Sequence, residues 1–347
     1  MRPVGAVVIL GLLAGAWAQG LPSILKPNCD SPEAEEAALV AQEYMNAQLS
    51  HGYKYALNKI EEIKIITKPD GAETYVVELE LLETKCHVLD PTPVANCTVR
   101  PLHETKVEAD CDVVLSKAGG VLSVVAYKCK SEPDSAEDVC FGCPQLVPLN
   151  HTDALKIVDA SLGVFNSRPD NDTAQFLLLE VDRLSSQVVS GGHQYLVEYG
   201  IVETNCTIDD NDACVPLVHP RARKGFCVAK GVSSAITVDC TLFPAVPFPV
   251  DTTENGTGPV APPIVPKLQT SHGLKHHHKF SAIHDPVATG LLSESGESDE
   301  VPIVKRQAPM DALLELPGVP GAPVVPAVAE APVLPLLPIC PGKIRHF

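Results

Sequence analysis

Eight of the twelve cysteines in this 347-residue chain fall into two sets of four with matching spacing. Cys86, Cys97, Cys111 and Cys129 are followed by Cys206, Cys214, Cys227 and Cys240, at offsets of 120, 117, 116 and 111 residues. A nearly constant offset, with the drift absorbed between cysteines, is the signature of a duplicated unit with variable loops. Two copies of one small fold are therefore expected. Their length agrees with a chain too long for one ordinary domain.

The segments between the cysteines repeat as well. Ser31-Pro32 suits an N-cap followed by a first-turn proline, Glu33, Glu35 and Glu36 complement the positive helix end, and Ala38, Ala41, Met45 and Leu49 recur at helical spacing. Leu155, Val158, Leu162 and Phe165 repeat that spacing in the second copy, behind a cap expected at Asn150 or Thr152. Each helix precedes a hairpin. In the first copy Tyr53 to Thr67 turns at Lys68-Pro69-Asp70-Gly71 and returns from Thr74 to Cys86. In the second, Phe176 to Val189 turns at Ser190-Gly191-Gly192 and returns from Tyr195 to Thr204. One helix followed by antiparallel strands is an α+β unit, a sheet laid across a single helix.

Both ends of the chain differ in kind. Arg2, the apolar run from Val4 to Ala16 and the small-x-small string Ala16-Trp17-Ala18 read as a signal peptide over residues 1–18. A secreted, extracellular protein without a membrane anchor is expected, in a milieu where twelve thiols form six disulfides. Five N-x-S/T sequons, at Asn96, Asn150, Asn171, Asn205 and Asn255, fit that route. After Cys240, residues 244–347 hold 18 of the 32 prolines, and no sheet or helix is expected there. Cys29, which has no counterpart in the repeat, and Cys340, near the end, are natural partners. Closing that loop is worth at most roughly 5–6 kcal/mol on the chain-entropy formula and would tether an otherwise unfolded tail.

This layout resembles the fetuins, secreted plasma members of the cystatin superfamily with two cystatin-like domains and a proline-rich C-terminal region. The resemblance is carried by Thr84 to Val99 (T-K-C-H-V-L-D-P-T-P-V-A-N-C-T-V), Pro133 to Val139 (P-D-S-A-E-D-V) and the terminus Cys340 to Phe347 (C-P-G-K-I-R-H-F). It implies the boundaries 27–141 and 142–250 for the two cystatin-like domains and 251–347 for a disordered tail. It also implies the pairing Cys29–Cys340, Cys86–Cys97, Cys111–Cys129, Cys140–Cys143, Cys206–Cys214 and Cys227–Cys240.

Function is sought in binding, because the chain has no G-x-S-x-G, H-E-x-x-H, phosphate-binding glycine loop or dinucleotide fingerprint. A formal charge of -17 lacks the basic field that nucleic acids require. Glu78 and Glu80 alternate along one strand, as do Glu108, Asp110 and Asp112 along another, so both sets can form carboxylate rows on the solvent side of the sheet. A flat row suits a mineral face better than a cage for one ion, since an isolated calcium site needs six or more converging oxygens. The plain alternative is a solvated polar face. The resemblance favours calcium phosphate, which fetuins bind and keep in soluble complexes; no cofactor besides calcium in that form is expected.

A second reading rests on Gln187-Val188-Val189-Ser190-Gly191, which matches the cystatin hairpin Q-x-V-x-G that enters the cleft of papain-like cysteine proteases. The glycine ahead of the helix and the Pro-Trp loop of active cystatins are missing, since the only tryptophan is Trp17. Between the units, Cys140-Phe141-Gly142-Cys143-Pro144 has Gly142 where a related fetuin linker offers an acidic residue to the zinc of astacin-type metalloproteases. Ser135, Ser295 and Ser298 each start an S-x-E phosphorylation pattern, and Lys305-Arg306 is a candidate processing site. Histidines gather at His272, His276, His277, His278 and His284. The resemblance further implies growth factors of the TGF-beta class as partners of the Cys111–Cys129 loop. The protein is expected to be a monomer.

Overall fold

The computed structural model describes residues 22–134, 140–168, 174–207, 214–217, 222–232, 235–243, 279–292, 340 and 342–346. The expected signal peptide, Ser135, Asn171, Asn255, His272, His276 to His278, Ser295, Ser298 and Lys305-Arg306 lie outside these residues.

The two units repeat one design. In the first, β1 (Ser23–Leu25), α1 (Pro32–Gln48), β2 (Tyr53–Thr67), β3 (Glu73–His87), β4 (Val107–Ala118) and β5 (Val121–Pro133) follow in order. In the second, β6 (Gln145–Leu146), α2 (Thr152–Asn166), β7 (Ala174–Val189), β8 (Gly192–Thr207), β9 (Lys224–Val232) and β10 (Ala235–Phe243) do the same. Consecutive long strands pair antiparallel in each sheet. The helix lies on one face of its sheet.

Local chemistry sets the helix starts. Ser31 Oγ accepts the Ala34 N–H at 3.2 Å, Pro32 fills the first turn, and Ala34, Ala37, Ala38, Ala41 and Met45 are buried against Ile60, Tyr75, Val77 and Leu79. In α2 the cap is His151, between the two expected residues; its Nδ1 accepts the Ala154 N–H at 3.4 Å. Neither flanking side chain is needed, because the imidazole Nδ1 supplies the acceptor. Val158 and Phe165 pack with Phe176, Leu184, Val197 and Tyr199 to form the second core.

All six disulfides pair as the resemblance implies: Cys29–Cys340, Cys86–Cys97, Cys111–Cys129, Cys140–Cys143, Cys206–Cys214 and Cys227–Cys240. Cys111–Cys129 and Cys227–Cys240 join directly opposed residues of β4/β5 and β9/β10.

One expectation about the tail is overturned. A strand β11 (Lys279–Ile283) pairs antiparallel with β5 and extends the first sheet to six strands. Proline punctuation is uneven: Pro286 is the only proline between Pro266 and Pro302, so this stretch keeps the N–H groups that an open sheet edge needs. The turn after β11 then lays Ala288 and Leu292 on Val76, Val114 and Ala126, and His284 of the histidine-rich stretch bonds to the Tyr44 hydroxyl at 2.6 Å. The terminus is docked too. Lys343 N–H donates to Asp30, His346 N–H to Asn58 Oδ1, and Arg345 pairs with Glu35. A Cβ at Gly342 would lie 2.2 Å from the Ile60 carbonyl oxygen, so only glycine passes there.

Candidate functional site

Three surfaces carry the chemistry. The first is the outer face of the first sheet, opposite α1. Leu79, Cys111 and Val113 point into the core, so the pleat turns Glu78, Glu80, Glu108, Asp110 and Asp112 outward. Register brings four of them face to face: Glu78 opposes Asp112 and Glu80 opposes Asp110. Glu108 stands apart, opposite Leu82 and Glu132, with Lys106 Nζ 3.2 Å from its Oε2. Opposed like charges are unfavourable, and they add to burial in raising the proton affinity of Asp110 and Glu78. Partial burial and then the neighbouring Glu108, Glu61 and Glu80 push Asp110 up to about 6; burial, Glu62 and Asp112 raise Glu78. Asn58 Nδ2 donates to Glu80 Oε1.

The acids do not have the face to themselves. Lys128 opposes Asp112 and Lys130 opposes Asp110 from β5, so a cationic row borders the anionic one. Tail residues Ala288 and Leu292 cap one end of this face, and at the other end Leu82 and Thr84 are buried.

The second surface is the tip of the second unit. Gln187, Val188 and Val189 close β7, and the chain reverses through Ser190 and Gly191 into β8. Gly191 and Gly192 have φ of 128° and 121°, a conformation that side chains oppose. Gln187 Nε2 donates to the Gly142 carbonyl at 2.7 Å, while β6 pairs with Ser185 and Ser186. Hairpin and linker thus form one ledge. Val188, 72% exposed, and Phe141, fully exposed, stand on it as apolar tips.

The third surface joins the units, and nothing in the sequence reading found it. Arg100 donates to Glu83 at 2.9 Å and reaches Glu198 with two bonds at 3.1 and 2.9 Å, while Arg183 donates to the same Glu83 oxygen at 2.9 Å. Two arginines and two glutamates balance in charge. Glu198 also accepts the Tyr53 hydroxyl; burial would raise its pKa, but Arg100 and Arg183 outweigh burial and lower it. Next to this network lie His87, Glu180 and Asp182. In the strand these acids alternate as solvent-facing residues would, so periodicity alone could not separate an interdomain face from an exposed one.

Asn96, Asn150 and Asn205 are exposed; Asn205 Oδ1 accepts the Val215 N–H at 3.0 Å. Among the described residues no helix is long and apolar enough to cross a membrane.

Comparison with known proteins places the chain. The Cystatin domain family matches residues 142–232. Alpha-2-HS-glycoprotein of Homo sapiens is 40% identical over 275 residues, 75% of this chain and 74% of that protein. The Mus musculus protein of that name is 36% identical over 342 residues, 92% of this chain and 90% of its own. The crystal structure of mouse fetuin-B is similar with a TM-score of 0.54 at 27% identity, covering 64% of this chain and 71% of that one. Mouse fetuin-B in complex with crayfish astacin gives 0.53 at 26% identity, covering 65% and 70%. With the duplicated cystatin-like fold and its six disulfides, these likenesses show that the chain belongs to the alpha-2-HS-glycoprotein family, the fetuins.

Proposed function

We propose that the first unit binds calcium phosphate through the acidic rows of β3 and β4 and keeps it from precipitating, as a secreted glycoprotein acting on nascent mineral. The supporting observation is the pair of opposed acids, Glu78 with Asp112 and Glu80 with Asp110. Directly opposed side chains lie about 4.5–5.5 Å apart at Cβ, a gap that a calcium ion with oxygen bonds of about 2.3–2.6 Å can bridge. Burial first and the neighbouring acids second raise Asp110 and Glu78, and bound calcium would relieve the second cause. The bordering Lys128 and Lys130 offer the counterpart for phosphate, so the face presents both signs that an ionic lattice carries. Glycans at the exposed Asn96, Asn150 and Asn205 would keep coated particles apart. Six disulfides agree with an oxidising, extracellular setting.

The test is turbidity of supersaturated calcium phosphate. Replacing Glu78, Glu80, Glu108, Asp110 and Asp112 by Gln or Asn should abolish inhibition, whereas an equally acidic unrelated glycoprotein should inhibit poorly. Full activity of the folded variant would reject the reading.

A second reading is protease inhibition by the second unit. It is favoured by the ledge on which the Gln187–Gly142 bond fixes Val188 beside the linker carrying Phe141. Mouse fetuin-B, a structural neighbour, has been solved in complex with crayfish astacin and with human meprin beta. Gly142 offers no carboxylate to a catalytic zinc, so the wedge suits papain-like cysteine proteases better. Assays against papain and astacin decide: inhibition of neither removes this reading.

A further inference from the structure

His87, Glu180 and Asp182 meet between the two units. His87 ends β3, and Glu180 and Asp182 occupy alternate positions of β7, whose pleat turns both carboxylates to one side. His87 Nε2 lies 3.5 Å from Glu180 Oε1 and 3.4 Å from Asp182 Oδ2, and the three side chains are 0%, 8% and 3% exposed. Phe226 stacks on the imidazole at 4.8 Å and Tyr53 meets it edge-on at 6.0 Å, which fixes the ring. Yet His87 Nε2 and Asp182 Oδ2 are buried without a hydrogen-bond partner. Native proteins rarely leave such atoms unsatisfied.

The spacing identifies what fits between them. A charge-assisted N–H···O bond closes to about 2.7–2.9 Å. Bonds of about 2.0–2.2 Å at tetrahedral angles around zinc instead hold neighbouring donor atoms about 3.3–3.6 Å apart. The two separations from His87 Nε2, 3.5 and 3.4 Å, fall in the second range, and all three donor atoms lie within 4.8 Å of one another. One imidazole with two carboxylates is a zinc donor set, whereas calcium takes oxygen ligands and would leave the imidazole unused. We propose that His87, Glu180 and Asp182 form a zinc site that clamps the first unit to the second, with water completing the coordination.

One contact opposes loading. The Leu89 N–H donates to His87 Nδ1 at 3.2 Å, and a metal on Nε2 would put the ring proton on Nδ1. That bond must open, and a ligating histidine normally has an acceptor at this position. The site is therefore weaker than a structural zinc centre. An imidazolium would lose the same bond, whereas a neutral imidazole with its proton on Nε2 keeps it and faces both carboxylates; zinc must displace that proton. Lys224, which faces Glu180 and whose pKa burial lowers, is the cation the metal must work against.

The clustered tail histidines are a second zinc-binding composition and must be separated from this site. The full disulfide-bonded chain carrying His272→Ala, His276→Ala, His277→Ala and His278→Ala is titrated with Zn2+ by calorimetry and with Co2+ by visible absorption. One equivalent with the intense bands of tetrahedral cobalt is expected. Adding Asp182→Asn should weaken binding by at least the ~10–100-fold that loss of an outer partner costs, and zinc should speed exchange of the Leu89 amide. No cobalt band in the parent, or equal affinity in the Asp182→Asn protein, overturns the proposal. So does a melting temperature that responds to pH and not to zinc, which would assign the cluster to a protonated histidine. If Asp182→Asn does not fold, the cobalt spectrum of the parent decides alone.

Discussion

The two units align strand for strand, and the residues at matching registers have opposite destinies. Leu79 faces Cys111 in the first sheet as Tyr199 faces Cys227 in the second. Counting outward from these pairs, Glu80, Asp110, Asp112 and Glu108 correspond to Gly200, Phe226, Val228 and Lys224. The second copy thus shares the inward half of the pattern, which builds the core, and lacks most of the outward acids. Glu78 and its counterpart Glu198 show the difference in setting: Glu78 lies on the open acidic face, while Glu198 is bound by Arg100 and Tyr53 of the first unit. One outer face was left to solvent and the other became a joint.

The largest way to break this contrast is to attack the joint. Glu83→Ala leaves Arg100 and Arg183 buried without their shared carboxylate, a defect expected to cost about 3–5 kcal/mol. Guanidinium denaturation should show it as an early loss of coupling between the units, and an unchanged curve would mean the network does not hold them. Next in size, Cys29→Ser with Cys340→Ser should destabilise the first unit by about 2–4 kcal/mol and spare the second, because only the first is wrapped by the terminus. Calorimetry that resolves two transitions checks this.

Asp110→Asn sharpens the comparison from the other side. Removing one member of an opposed acid pair should stabilise the first unit by about 0.2–1 kcal/mol while weakening calcium binding. The sign with pH follows from a folded pKa of about 6 against an ordinary 3.8. Between these values the folded state binds the extra proton, so this group adds stability as pH falls from 6 towards 4 and removes it as pH rises. From pH 7 to 4.5 the urea midpoint of the variant should rise less, or fall further, than that of the wild type, and calcium binding by the wild type should decline below pH 6. Smallest in stability is Val188→Asp, expected within about 0.5 kcal/mol because the side chain is exposed. Any protease inhibition should vanish with it, and retained inhibition would move the contact elsewhere.

Much of this was legible in advance for a physical reason. Helix spacing in α1 and α2, the hairpin turns at Lys68 to Gly71 and Ser190 to Gly191, and the outward acids of β3 and β4 all express local periodicity. The cap of α2 was misplaced by one residue because histidine is seldom the acceptor there. Strand β11 was missed because composition averaged over the tail hid a stretch with one proline. His87, Glu180 and Asp182 gave no signal, since they lie far apart along the chain and are polar residues at positions that look solvated.

The amino-acid sequence by itself determined the repeat, the element order and which side of each strand is polar, because spacing of 2 and 3.6 residues is written along the chain. Only the tertiary structure decided which polar face meets water and which meets the other unit. That choice depends on residues such as Arg100 and Glu198, 98 apart, whose desolvation is repaid only when the folded units bring them together.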